Sequence, residues 1–143
     1  MDIAVRAAAM FDSLTVAVCD NPSKKPLFTF PERLMLIKQA LPGEPKISCV
    51  SFSGLLTDFC RVIGARYIVR GIRNGIDYTY EAELAKTYKS LSPDVECVYL
   101  MSDNTSNVSG TTVRELLSYG ADVSGFVPEK SVKLLKELYK SKI

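Results

Sequence analysis

Two arginines bracket a glycine and an isoleucine at Arg70-Gly71-Ile72-Arg73, directly after an apolar run, Tyr67-Ile68-Val69. A strand ending this way delivers two guanidiniums to one turn, with a glycine that lets backbone approach a ligand. Guanidiniums grip phosphate bidentately, so the chemistry on offer is anion recognition, with phosphate the natural ligand. The same pair would also suit a solvated surface turn. Lys24 and Lys25, between Pro22 and Pro26, add two cations, and Ser109-Gly110-Thr111-Thr112 reads as a helix start. A helix start presents free N–H groups to an anion, and Gly110 would let that anion come close. Taken singly, the lysines are ordinary solvated side chains and the serine an ordinary cap. Asp77 and Glu81 supply carboxylates that can orient a nucleotide or receive a proton. No GxxxxGK[ST] pattern is present, which argues against a P-loop NTPase. The chain has no histidine, so imidazole catalysis and His-ligated metal sites are excluded for it as given.

The elements that must position these groups alternate along the chain. Strands are expected at Leu14–Cys19, Lys46–Phe52, Arg66–Arg70 and Val95–Met101. Helices are expected at Asp2–Phe11, from Thr29-Phe30-Pro31-Glu32 to Leu41, after a Ser53 cap as far as Gly64, over Asp77–Leu91, from Ser109 to Gly120, and from Pro128 to Lys140. Single helices between strands imply right-handed crossovers and a parallel sheet. The expected fold is one α/β domain over residues 1–143, a doubly wound Rossmann-like parallel sheet with helices on both faces. All three cationic or hydroxyl-rich segments then fall at the carboxyl ends of strands, where such sheets bind ligands.

Composition fits a globular domain, with 47% hydrophobic and 24% charged residues. A net charge of +2 gives no case for nucleic acid. No apolar run approaches a membrane span and no signal-peptide pattern is seen, so no membrane partner is expected. Cys19, Cys49, Cys60 and Cys97 lack a CxxC pair and read as buried free thiols in a reducing cytoplasm.

Three segments in order, NPSKKPLFTFPER, IVRGIRNGIDYTYE and VSGTTVRELL, resemble the phosphopantetheine adenylyltransferases of bacterial coenzyme A synthesis, a nucleotidyltransferase family. The resemblance implies transfer of adenylyl from ATP to 4′-phosphopantetheine with Mg²⁺ assistance, in a homo-oligomer, a hexamer in that family. It implies that Lys24 contacts the pantetheine phosphate and the transferring group, that Leu56 lines the pantetheine arm, and that Arg70 holds the acceptor. Gly71, Ile72 and Arg73 would form an ATP-binding triplet, with Arg73 and Lys24 acting on phosphate. Glu81 would belong to the ATP site. Thr105, Ser106, Asn107, Val108, Ser109, Gly110 and Thr111 would wrap the nucleotide, with Gly110 where the family carries serine. No dedicated protein ligand for the metal is apparent.

The family pattern places a strand ending in TxGH directly before the segment matched by Asp2-Ile3. The expectation is therefore a sheet without its central strand, with unpaired backbone groups and a gap in the core. The missing histidine would also remove a donor aimed at developing charge. Met1 is accordingly expected not to be the natural start of a working enzyme. A sibling nucleotidyltransferase with another acceptor and an inactive nucleotide-binding remnant stand as the alternatives.

Overall fold

Caps and chain breaks set the elements of the computed structural model, which describes residues 2–19, 26–41, 43–102 and 109–142. In chain order they are α1 (Asp2–Met10), β1 (Leu14–Cys19), α2 (Phe30–Ala40), β2 (Ile47–Phe52), α3 (Leu56–Ile63), β3 (Tyr67–Ile72), α4 (Gly75–Leu91), β4 (Glu96–Met101), α5 (Gly110–Ser118) and α6 (Glu129–Lys140). The Thr29–Glu32 capping box opens α2, with the Thr29 N–H donating to Glu32 Oε2 at 2.7 Å. Gly64 closes α3 at φ +69°, a conformation that favours glycine.

Three boundaries differ from expectation. Ser53 does not cap α3; Leu55 holds the N-cap position without a side-chain hydrogen bond. Asn74 caps α4 by accepting the Asp77 N–H at 2.9 Å, so that helix starts before Asp77. An Asn-Gly pair reads as a turn, yet asparagine serves equally well as an N-cap. β3 also continues past Arg70, because the Ile72 side chain is buried and its carbonyl accepts the Ser102 N–H at 2.9 Å.

The strands are parallel, as expected. β1 pairs with β2 from Leu14↔Ile47 to Cys19↔Phe52, and β3 with β4 from Tyr67↔Glu96 to Ile72↔Met101. Helices cover both faces of β3. On one face lies α1, with the Phe11 ring 5.4 Å from Tyr67. On the other, Cys60 of α3 and Tyr88 of α4 pack with Ile68. Among the described residues β1 and β3 do not pair, so the strands form two separate sheets. Between them runs a groove of about 650 Å³. The strands bordering it stay half-covered; in β1 only Val18 is buried.

Two apolar clusters hold the rest. Val113, Leu117, Val123 and Leu135 join α5 and α6 to Leu36 of α2, and Cys60, Ile68 and Val95 sit beneath α3 and α4. The cysteines are free, and burial pushes the Cys60 thiol pKa up. Cys19 departs from the expected burial: it is exposed at the carboxyl end of β1, where the strand leaves its sheet. No described helix is long and apolar enough to cross a membrane.

Candidate active site

The end of β3 and the start of α4 build the centre of the site. Side chains alternate along a strand, so Arg70 shares a face with Ile68 and Ile72 and turns toward α4. Its Nε donates to Glu81 Oε2 at 2.7 Å and its second amino nitrogen to Oε1, a bidentate fork. Glu81 is buried, and its carbonyl accepts the Tyr99 hydroxyl at 3.0 Å, tying the pair to β4. Hydrogen bonding to Glu81 raises the Arg70 pKa further, keeping the guanidinium charged.

Arg73 meets a different carboxylate. Its backbone N–H and Nε donate to Asp77 Oδ2 at 3.2 and 2.8 Å, and Nη2 to Oδ1 at 3.2 Å. The Arg73 hydrogen bonds hold the Asp77 carboxyl below the usual carboxylate range. The Arg73 side chain is 57% exposed against 37% for Arg70, so Arg73 is the cation presented to solvent. Ile72 turns its side chain into the core and leaves only backbone for a ligand. Gly71 is exposed, and a Cβ there would meet Ile3 Cγ1 at 3.0 Å, so a side chain would crowd α1.

The second part is the start of α5. Ser109 Oγ accepts the Thr112 N–H at 3.1 Å, and Thr111 Oγ1 accepts from Arg114 at 2.9 Å. Among the described residues, a Cβ on Gly110 would meet only Arg114 Nη1, at 3.5 Å. Beside it lies a cavity of about 290 Å³ lined by Phe28, Arg33, Gly110, Val113 and Arg114 among others. Arg33 and Arg114 went unremarked in the sequence. Arg33 stacks its guanidinium 4.5 Å over Phe30 and donates to the Cys19 carbonyl at 3.3 Å, while its buried Nε has no partner among the described residues. The available signals were slight: Arg33 follows the capping-box glutamate, and Arg114 lies one helical turn beyond Gly110.

Arg70, Gly71, Arg73 and Glu81 are thus brought together, and Leu56 and Arg70 border the same groove. Glu81 stands as counter-charge to Arg70 rather than facing open space. Lys24, Thr105, Ser106, Asn107 and Val108 lie outside the described residues.

Residues 1–116 match the model of the cytidylyltransferase-like family. The chain is 42% identical over 140 residues to a phosphopantetheine adenylyltransferase of Staphylococcus carnosus, covering 97% of this chain and 87% of that protein. It is 44% identical over 137 residues to one from Burkholderia cenocepacia, covering 95% and 83% of the two chains. A third, from Herminiimonas arsenicoxydans, is 45% identical over 137 residues, covering 95% and 84%. The chain belongs to the phosphopantetheine adenylyltransferase family.

Membership brings a metal expectation that the donor set can test. No group of three or more His, Cys, Asp or Glu side chains among the described residues could hold an ion. The carboxylates of Asp77 and Glu81 are both engaged by arginine.

Proposed function

We propose that the chain catalyses transfer of the adenylyl group of ATP to 4′-phosphopantetheine, giving dephospho-CoA and pyrophosphate. The observation carrying this reading is the identity of 42% and more with phosphopantetheine adenylyltransferases over at least 95% of the chain. An oxygen of the acceptor's phosphate attacks the α-phosphorus of ATP in line, and pyrophosphate leaves. Such chemistry needs positioning and charge neutralisation more than covalent help. Arg73, presented at the strand end, and Lys24 neutralise nucleotide phosphates, while Arg70 orients the acceptor. Leu56 meets the pantetheine arm, and the backbone from Gly71 to Ile72 approaches the nucleotide. By family resemblance Thr105 to Thr111 bind the nucleotide, and the start of α5 offers its free N–H groups to phosphate. Any Mg²⁺ would be held through the nucleotide phosphates rather than by Asp77 or Glu81, and would supply charge neutralisation there. The setting is the cytoplasm, where ATP is plentiful and free thiols persist.

The test is a panel of acceptors at fixed ATP with pyrophosphate release as readout. Turnover with 4′-phosphopantetheine and none with dephosphorylated pantetheine is expected. Preference for a nucleotide acceptor would instead assign the chain to a sibling reaction. The alternative reading is nucleotide binding with little turnover. ATP binding without pyrophosphate release from any acceptor would select it.

A further inference from the structure

Two carboxylates of α4 pair with the two arginines at the end of β3, one pair nested inside the other. Arg73 meets Asp77 across the turn, and Arg70 meets Glu81 outside it. Asp77 and Glu81 stand one turn apart on the same face of the helix. Both arginines are engaged through the same edge. Nε and Nη2 of Arg73 donate to Asp77, and Nε and Nη2 of Arg70 donate to Glu81. A guanidinium carries five N–H groups, so each arginine keeps three, two on Nη1 and one on Nη2. No acceptor among the described residues meets either Nη1. The Nη1–Nη2 edge is one on which two parallel hydrogen bonds can hold a phosphate.

The local sequence fixes Asp77 in place before it fixes Arg73. Asn74 Oδ1 accepts the Asp77 N–H at 2.9 Å, which sets Asp77 in the first turn of α4. From there Oδ2 accepts the Arg73 backbone N–H at 3.2 Å and Nε at 2.8 Å, while Oδ1 accepts Nη2 at 3.2 Å. One carboxylate therefore holds both the backbone of Arg73 and its guanidinium. Three of the roughly four acceptor positions of a carboxylate are used, which leaves little for a proton or a metal. Because the Arg73 side chain is exposed, the pair contributes little to stability. Its contribution is orientation. Ordering a long side chain on binding costs up to about tenfold in affinity, and Arg73 comes already ordered. The Asp77 charge opposes an incoming phosphate, but across roughly 7 Å of water that costs at most about threefold. Orientation is the larger effect.

We propose that Asp77 is a positioning residue of the nucleotide site: it holds the Arg73 guanidinium with its Nη1–Nη2 edge free for an ATP phosphate. It acts through Arg73 alone, and not as a base, a metal ligand or a nucleotide contact. This role rests on Arg73 meeting ATP, and the test separates the two.

ATP and 4′-phosphopantetheine are titrated calorimetrically into the full chain, Asp77→Ala, Asp77→Asn, Arg73→Ala and the double variant Asp77→Ala with Arg73→Ala. Asp77→Ala should raise the ATP dissociation constant about threefold or more, by the same factor with and without Mg²⁺. Its affinity for 4′-phosphopantetheine and its melting temperature should stay close to the parent's. Asp77→Asn keeps one acceptor for Arg73 and should fall between the two. In the Arg73→Ala background, Asp77→Ala should change ATP binding no further. The Arg73 Nε–H resonance should exchange slowly in the parent and quickly in Asp77→Ala. Unchanged or tighter ATP binding in Asp77→Ala would overturn the proposal, as would equal losses for both ligands. A further loss in the Arg73→Ala background, or one that needs Mg²⁺, would make Asp77 a direct contact instead. Parent-like ATP affinity in Arg73→Ala would remove the assignment of Arg73 itself, and the role of Asp77 with it.

Discussion

Arg70 and Arg73 are separated by one turn of backbone and held by different carboxylates, and that difference divides their work. Arg70→Ala is expected to weaken 4′-phosphopantetheine more than ATP. It should also cost stability of about 1–3 kcal/mol by leaving buried Glu81 unpaired, toward the lower figure because Arg70 is 37% exposed. Arg73→Ala should do the reverse for the ligands and leave melting nearly unchanged, its ion pair being solvated. Calorimetric titration of both ligands into each variant checks this; equal losses in both would end the division of labour. A second residue-scale prediction concerns Asp122. Hydrogen bonds from Ser124, then Lys136, lower its pKa to about 2 from 3.8. A depressed carboxylate pKa stabilises the fold above the unfolded value, and that contribution is lost as pH falls through the folded one. Between pH 4 and 2, Asp122→Asn should therefore lose less stability than the parent in urea melts. Parallel curves would assign the acid loss elsewhere.

At the scale of elements, the packing of α1 on β3 turns on Gly71. Gly71→Ala places a methyl 3.0 Å from Ile3 Cγ1, and overpacking of this kind costs about 1–3 kcal/mol. Ile3→Ala should relieve it, so a double-mutant cycle is expected to show favourable coupling. Additive losses would place the strain in the backbone instead. The start of α5 gives the complementary case. Among the described residues only Arg114 lies near a side chain at Gly110, so Gly110→Val should fold normally while raising the ATP dissociation constant, read by titration alongside melting. Unchanged ATP affinity would leave Ser109 only a cap. What the sequence displays at this scale is local chemistry. The Thr29–Glu32 box, the Gly64 stop and the β-branched runs were legible because each acts within a few residues. The Arg70–Glu81 fork was not, because its partners lie eleven residues apart and meet only when α4 folds back on β3. Apolar runs likewise mark strands without naming neighbours, so the two-sheet arrangement and the exposure of Cys19 needed coordinates.

Across the whole molecule, large apolar side chains are exposed on several elements, some of them beside the site. Ile76 and Tyr80 of α4 are 83% and 64% exposed, and Met101 at the end of β4 is 61% exposed. Such surface commonly marks association, and a homo-oligomer, a hexamer by family resemblance, is expected by light scattering. A monomer at micromolar concentration would leave that surface unexplained. The most direct test of the whole account follows the adenylyl group itself. The purified chain is incubated with ATP labelled at the α-phosphorus and with 4′-phosphopantetheine, and the products are separated. Label should pass into dephospho-CoA with one pyrophosphate released per transfer, and Arg73→Ala should reduce the rate by an order of magnitude or more. Label that stays in ATP or appears only in free AMP, or transfer indifferent to Arg73, would contradict it.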